Sequence, residues 1–203
     1  MKQARPKGFS LIELMVTITI LAILVVLGFP SYKQWIINSN IRNAAESIQN
    51  GLRLARNEAS QRATFVRFEI SSAGTADWTV CQLPTTAIPA TLCSATNAIN
   101  IQQFASKGGA GTALISGSTV VANVNTTGAL DTPLTGALAA TSGVTFNALG
   151  RPTDYGNTSL LRLDANSATA GSRWLVTTIS AGGSVRMCDP QIVFSATAPQ
   201  GCK

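Results

Sequence analysis

Residues 9 to 29, FSLIELMVTITILAILVVLGF, form a nearly unbroken apolar run of about 21 positions. At a rise of ~1.5 Å per residue, such a helix would cross a hydrocarbon layer ~30 Å thick. Beyond Gly28 and Pro30 the pattern changes. Ile37, Ile41, Ala44, Ala45, Ile48, Leu52, Ala55 and Ala59 recur at steps of three and four, which places one apolar stripe along a helix. Lys33, Arg42, Glu46, Asn50, Arg53, Asn57 and Gln61 fall on the opposite face. Proline removes an intrahelical hydrogen bond and often kinks a helix, so Pro30 marks the joint. The pattern predicts one helix over about residues 10 to 60, half of it apolar all round and half amphipathic.

The period then shortens. TFVRFEI (64–70), DWTVCQL (77–83), NIQQFA (100–105), GVTFNAL (143–149), LLRLD (160–164), RWLVTTIS (173–180) and SVRMCD (184–189) are short, partly alternating and rich in β-branched or aromatic residues. Such runs predict strands. Ser71-Ser72-Ala73-Gly74, Gly108-Gly109, Leu149-Gly150-Arg151-Pro152 and Gly182-Gly183 supply the turns between them. The stretch from 106 to 142 is rich in Gly, Ala and Thr, and predicts one strand near STVVANV (118–124) among loops. The fold class is therefore α+β, a long N-terminal helix packed on an antiparallel β head.

Composition sharpens the compartment. The chain is 45% hydrophobic and 12% charged, and it contains no histidine. The commonest general base and the commonest metal ligand are thus missing. Lys2, Arg5 and Lys7 supply half of the net +6 charge, and all three precede Gly8. A basic flank before an apolar run places that flank in the cytoplasm and the remainder outside. The apolar run ends at Gly28-Phe29-Pro30 without a small-x-small cleavage site, which separates it from an ordinary secretory signal.

One charge stands out in the run. Glu13 would cost on the order of 2.5 to 3.5 kcal/mol inside a bilayer, less near the interface. Lys7-Gly8-Phe9-Ser10-Leu11-Ile12-Glu13-Leu14 resembles the processing site of type IV prepilins and type II secretion pseudopilins. The resemblance implies that a membrane prepilin peptidase cuts after Gly8 and methylates the new amino terminus at Phe9. It also implies that Glu13 faces the amino terminus of a neighbouring subunit during filament assembly. Two charges that are each unfavourable in lipid neutralise one another when subunits dock in register.

The head resembles the GspH/FimT family of minor pilins and pseudopilins, most like its FimU/FimT members. The resemblance rests on Leu54-Ala55-Arg56-Asn57-Glu58-Ala59-Ser60-Gln61-Arg62, DWTVC, VTFNALGRP, GGSVRMCDP and the final PQGC. It implies a pilin fold with a leader peptide (1–8), a transmembrane or filament-core helix (9–30), an amphipathic helix (31–62) and a periplasmic head (63–203). It further implies a minor pilin of the inner membrane and then of the surface pilus. Such a subunit would prime or tip the pilus beside other minor pilins and the major pilin, and so support twitching motility and adhesion. A minor pseudopilin of a type II secretion system shares the same N-terminal chemistry and is the alternative. No cofactor is implied.

Cys81, Cys93, Cys188 and Cys202 are an even set in a domain outside the cytoplasm, which implies disulfides with three open connectivities. Loop length favours Cys81–Cys93 and Cys188–Cys202. Without histidines or C-x-x-C spacing, a zinc site has little to rest on. No catalytic fingerprint is present. Gly108-Gly109-Ala110-Gly111 lies in a low-complexity loop and gives only a weak hint of phosphate binding. Glu69, Asp77, Asp131, Asp154, Asp164 and Asp189 show no paired spacing and read as turn or surface residues.

Some FimT-type pilins bind DNA through basic residues near the C-terminal hairpin and tail. The resemblance makes Arg151, Arg162, Arg173, Arg186 and Lys203 the DNA-contact candidates here. Removal of residues 1 to 8 takes away Lys2, Arg5 and Lys7, leaving a side-chain charge of about +3 (+6 minus three). Non-specific DNA affinity needs clustered phosphate contacts rather than a small excess of positive charge, so solvated surface arginines are the competing reading.

Overall fold

The computed structural model describes residues 8–84, 91–106, 113–119, 130 and 132–202, with the side chain of Pro30 left out. Residues 1–7 of the leader, the Gly108–Gly111 stretch, most of STVVANV, Asp131 and Lys203 lie outside the described residues. The chain divides into two compact units, Met1–Ile36 and Ile37–Lys203. Helix α1 spans Leu11–Arg62 and contributes to both. Gly28 and Pro30 lie inside it rather than at its end.

In the first unit every described side chain from Gly8 to Phe29 is exposed. In the second, the helix follows the predicted stripe: Ile41, Ala44, Ala45, Ile48, Leu52, Ala55 and Ala59 are buried, and Ile37 packs partly buried against them. Alanines keep the stripe thin, so the helix sits close to the sheet. Gly51 brings it closer still. A Cβ there would stand 2.7 Å from Phe68 Cε2 and 2.9 Å from Trp78 Cε2. The Trp78 indole N–H donates to Ser47 Oγ on the helix at 2.8 Å, and its ring stacks on Phe104 with centroids 5.7 Å apart. A tryptophan is thus buried with its one donor satisfied.

Among the described residues the head has nine strands: β1 (Val66–Ile70), β2 (Trp78–Gln82), β3 (Ile99–Phe104), β4 (Leu114–Ser118), β5 (Gly143–Phe146), β6 (Arg162–Asn166), β7 (Leu175–Ile179), β8 (Val185–Val193) and β9 (Gly201–Cys202). They form two sheets, ordered β3-β2-β1-β5 and β4-β6-β7-β8-β9. All pairings are antiparallel except β8 with β9. Val66, Phe68, Val80, Val144 and Phe146 from the first sheet meet Ile115, Leu163, Ala165, Ile179 and Val185 from the second in one core with the helix stripe. The α+β expectation holds.

The differences from the pattern have local causes. β5 stops at Phe146 because the Asn147 side-chain carbonyl accepts from the N–H groups of Leu149 (2.9 Å) and Arg151 (3.1 Å), closing a turn where a strand was expected. β4 lies before the expected 118–124 run, over Leu-Ile-Ser-Gly-Ser, a sequence of weak strand propensity. Tertiary pairing supports it: five residues pair with β6, and Ile115 donates to Gly74 O at 3.0 Å and accepts from Leu138 N at 2.8 Å. β8 runs on to Val193 because the C-terminal Gly201–Cys202 segment pairs along it.

Two carboxylates assigned above to turns or surface are instead buried. Glu69 and Asp164 are 6% and 0% exposed. Each sits two residues after an arginine on a central strand, so that the pair shares one sheet face. Arg67 Nε reaches Glu69 Oε2 at 2.7 Å, and Arg162 Nη2 reaches Asp164 Oδ2 at 2.6 Å. Asp189 is also mostly buried and pairs with Arg173.

Candidate functional site

The start of α1 holds the first group of candidates. Gly8, Phe9 and Ser10 precede the first helical turn and are exposed. Ser10 Oγ accepts from the Glu13 N–H at 3.2 Å, while Glu13 Oε2 accepts from the Ser10 N–H at 3.0 Å. This is a reciprocal capping box, in which the first helical donors are satisfied by the chain itself. Ser10 O accepts the first helical bond, from Leu14 N at 3.3 Å. Ser10-Leu11-Ile12-Glu13 carries the S-x-x-E signature of such a box ahead of an apolar run. Glutamine would make the same cap, so the cap alone does not require a charge.

The hydroxyls of the apolar run are also accounted for. Thr17 Oγ1 donates to Leu14 O at 2.9 Å, and Thr19 Oγ1 to Val16 O at 2.8 Å. Each hydroxyl bonds back within its own helix, so neither demands water. The segment has a mean hydropathy of 2.7 over its best window, none of it buried. By length and composition this helix is long and apolar enough to cross a membrane, and Glu13 is the one charged side chain from Gly8 to Phe29.

The second group lies in the head. Cys81 and Cys93 are bonded with Cα atoms 5.6 Å apart, and Cys188 and Cys202 with Cα atoms 5.0 Å apart. These are the two pairs that loop length favoured. The second clasps β9 to β8. Cys188 and Cys202 pack there with Leu130, Trp174 and Val176 in a small apolar cluster.

Of the DNA-contact candidates, Lys203 lies outside the described residues, and the four arginines differ in burial and partners. Arg162 is fully buried, held by Asp164 Oδ1 (2.7 Å) and Oδ2 (2.6 Å), by Thr132 O (2.9 Å) and over the Trp174 ring. It cannot touch a phosphate without breaking that network, and the expectation is corrected. Burial on both sides of β6, which a single arginine in LLRLD did not reveal, is the reason. Arg173 pairs with Asp189. Arg186 donates to Pro199 O at 2.9 Å and lies over the Phe194 ring at 5.2 Å. Arg151 is exposed in the turn after β5. Among the described residues no group of three or more His, Cys, Asp or Glu could hold a metal ion.

Comparison with known proteins locates the first group. Residues 4–29 match the family model described as the prokaryotic N-terminal methylation motif. Two crystal structures of the Pseudomonas aeruginosa (strain PAO1) type IV minor pilin FimU are similar to this chain. One is 15% identical, with a TM-score of 0.46, over 80% of this chain and 99% of that one. The other is 16% identical, with a TM-score of 0.47, over 80% of this chain and 95% of that one. No curated protein matches the chain.

Proposed function

We propose that this chain is a minor pilin, a membrane-anchored structural subunit that joins a type IV pilus through a priming or tip complex and so supports twitching motility and adhesion. The N-terminal methylation motif over residues 4–29 carries the reading. In it, a prepilin peptidase cleaves the Gly8–Phe9 bond and Phe9 is methylated. The exposed, largely apolar helix that follows suits a single span of the inner membrane, with residues 63–203 as a periplasmic head. Two disulfides suit that oxidising side. Leader 1–8, filament-core helix 9–30 and amphipathic helix 31–62 are the corresponding parts.

The mechanism follows from Glu13. Among the described residues its carboxylate accepts from the Ser10 N–H at 3.0 Å. A neighbouring subunit that brings its Phe9 ammonium alongside would replace a costly lone charge in lipid with a pair. Entry into the filament is therefore favoured when other minor pilins or the major pilin dock in register.

The capping box supplies a discriminating pair of variants. Glu13→Gln keeps the cap and removes the charge; Glu13→Ala removes both. Both should be cleaved normally, and both should be strongly depleted from sheared pili. Incorporation of Glu13→Gln at the wild-type level would reduce Glu13 to a helix cap and overturn the assembly role. A deletion strain should lose surface pili and regain them on complementation. Normal pili with lost exoprotein secretion would move the subunit to a type II secretion system.

A further inference from the structure

The last turns of the membrane-type unit carry aromatic rings that neither the head nor the capping chemistry uses. Phe29, Tyr32 and Trp35 recur at every third position and are 53%, 59% and 65% exposed. Tyr32 and Trp35 stack with ring centroids 6.1 Å apart, and Lys33 Nζ lies 4.8 Å above the Phe29 ring. The segment is amphipathic within each side chain. The indole and phenol rings have an apolar body and a polar tip, and the lysine has a long stem ending in a charge.

Position along the helix says what such a band would meet. Leu11 to Phe29 spans about 28 Å of axis, close to the ~30 Å hydrocarbon layer. The next turn and a half, Phe29 to Trp35, adds about 9 Å, roughly one headgroup layer. Tyr and Trp concentrate at that level because the ring can lie among acyl ends while its O–H or N–H bonds headgroup oxygens. Lysine snorkels to the same level.

We propose that Phe29, Tyr32, Lys33 and Trp35 form an interfacial belt that seats in the outer phospholipid headgroup layer and fixes the depth of the helix before assembly. The inference rests on the membrane-anchored part of the proposed function and adds to it. Because Glu13 lies about 33 Å before Trp35 along the axis, the belt sets the height at which Glu13 and the Gly8–Phe9 bond meet the opposite, cytoplasmic face. A belt at one end and the basic leader at the other hold a span that has almost no polar group between them.

The tryptophans make the depth measurable. Of the three in the chain, Trp78 and Trp174 are 3% and 8% exposed in the head, leaving Trp35 as the open reporter. The uncleaved full chain would be reconstituted in phosphatidylethanolamine–phosphatidylglycerol vesicles carrying a nitroxide near the headgroup or near the chain end. Shallow label should quench the fluorescence severalfold more than deep label, and Trp35→Phe should abolish the difference. Stronger quenching by deep label would put the ring in the hydrocarbon. Quenching by aqueous iodide, with none by lipid label in vesicle-bound protein, would leave it in water. Either result overturns the belt while leaving membrane anchoring intact, whereas failure of the chain to bind vesicles overturns the anchoring itself and the belt with it. In cells, the double variant Tyr32→Ala/Trp35→Ala should slow leader cleavage severalfold with no change in head melting. An unchanged cleavage rate would remove the depth-setting role.

Discussion

The outer faces of the two sheets solve one problem in two ways. Each has an arginine and a carboxylate two residues apart on a central strand, Arg67–Glu69 on β1 and Arg162–Asp164 on β6, and each pair is roofed by a loop. Over the first, the roof is the segment after Thr91. Cys93 donates its N–H to Glu69 Oε2 at 3.2 Å, and its disulfide to Cys81, the register partner of Arg67, ties that segment to the sheet. Arg67 also donates to Thr141 O at 2.7 Å. Over the second pair, the roof is the segment from Thr132 to Gly136, and no disulfide reaches it. Arg162 donates to Thr132 O, Leu134 N to Asp164 Oδ2, Asn166 Nδ2 to Leu134 O and Ser116 Oγ to Gly136 O. The second pair is fully buried and its side chains supply much of what holds the roof down. The first pair has a covalent tether beside it.

That contrast orders the expected effects. Asp164→Ala should be the most damaging, by about 3–5 kcal/mol, because it strands a buried guanidinium and releases the roof together. Urea unfolding of the soluble head would measure it, and a cost near zero would mean that the roof is held by packing alone. Next, Cys81→Ser/Cys93→Ser should cost about 3 kcal/mol, as expected for freeing a loop of 12 residues. Glu69→Ala should cost less than Asp164→Ala while the disulfide is present, about 1–3 kcal/mol. In the disulfide-free background its cost should change by more than ~0.5 kcal/mol, since the two then share one loop. Additive costs would show that the tether and the pair act separately.

The smallest effect concerns the edge of the first sheet. Asp77 accepts from the backbone N–H of Ser106 at 2.6 Å, and that bond, with smaller help from Ser106, Thr75 and Ser72 side chains, holds its carboxyl below its usual value of 3.8. A carboxylate lowered on folding contributes stability above its unfolded pKa and loses it as the pH falls through the folded one. Asp77→Asn should therefore flatten a small part of the acid limb of the stability curve below about pH 4 and leave the neutral region less stable. An unchanged acid limb would contradict the bond's contribution.

Much of this was legible beforehand, for identifiable reasons. The helix stripe from Ile41 to Ala59 was readable because a helix buried on one side repeats its requirement every three or four residues. The first sheet was readable because V-R-F-E-I alternates as a strand with one core face must. The same alternation misled at its polar positions. Arg67, Glu69, Arg162 and Asp164 have the spacing of an exposed face, and nothing local shows that a loop distant in sequence covers it. β4 was missed for the same reason: its Leu-Ile-Ser-Gly-Ser is held by partners at Asn166 through Arg162, by Gly74 and by Leu138.

What the sequence determined by itself is whatever repeats within a few residues: the apolar run, the helix stripe and the strand periods; loop length favoured one of three cysteine pairings without deciding it. What only the tertiary structure decided is which polar groups are buried, which arginines remain open to a partner, and where β4, β8 and β9 begin and end. Those outcomes depend on backbone groups brought together across long stretches of chain. A hydrogen bond from Arg162 to Thr132 or from Cys93 to Glu69 exists only after the sheets have formed, so no pattern at either end announces it.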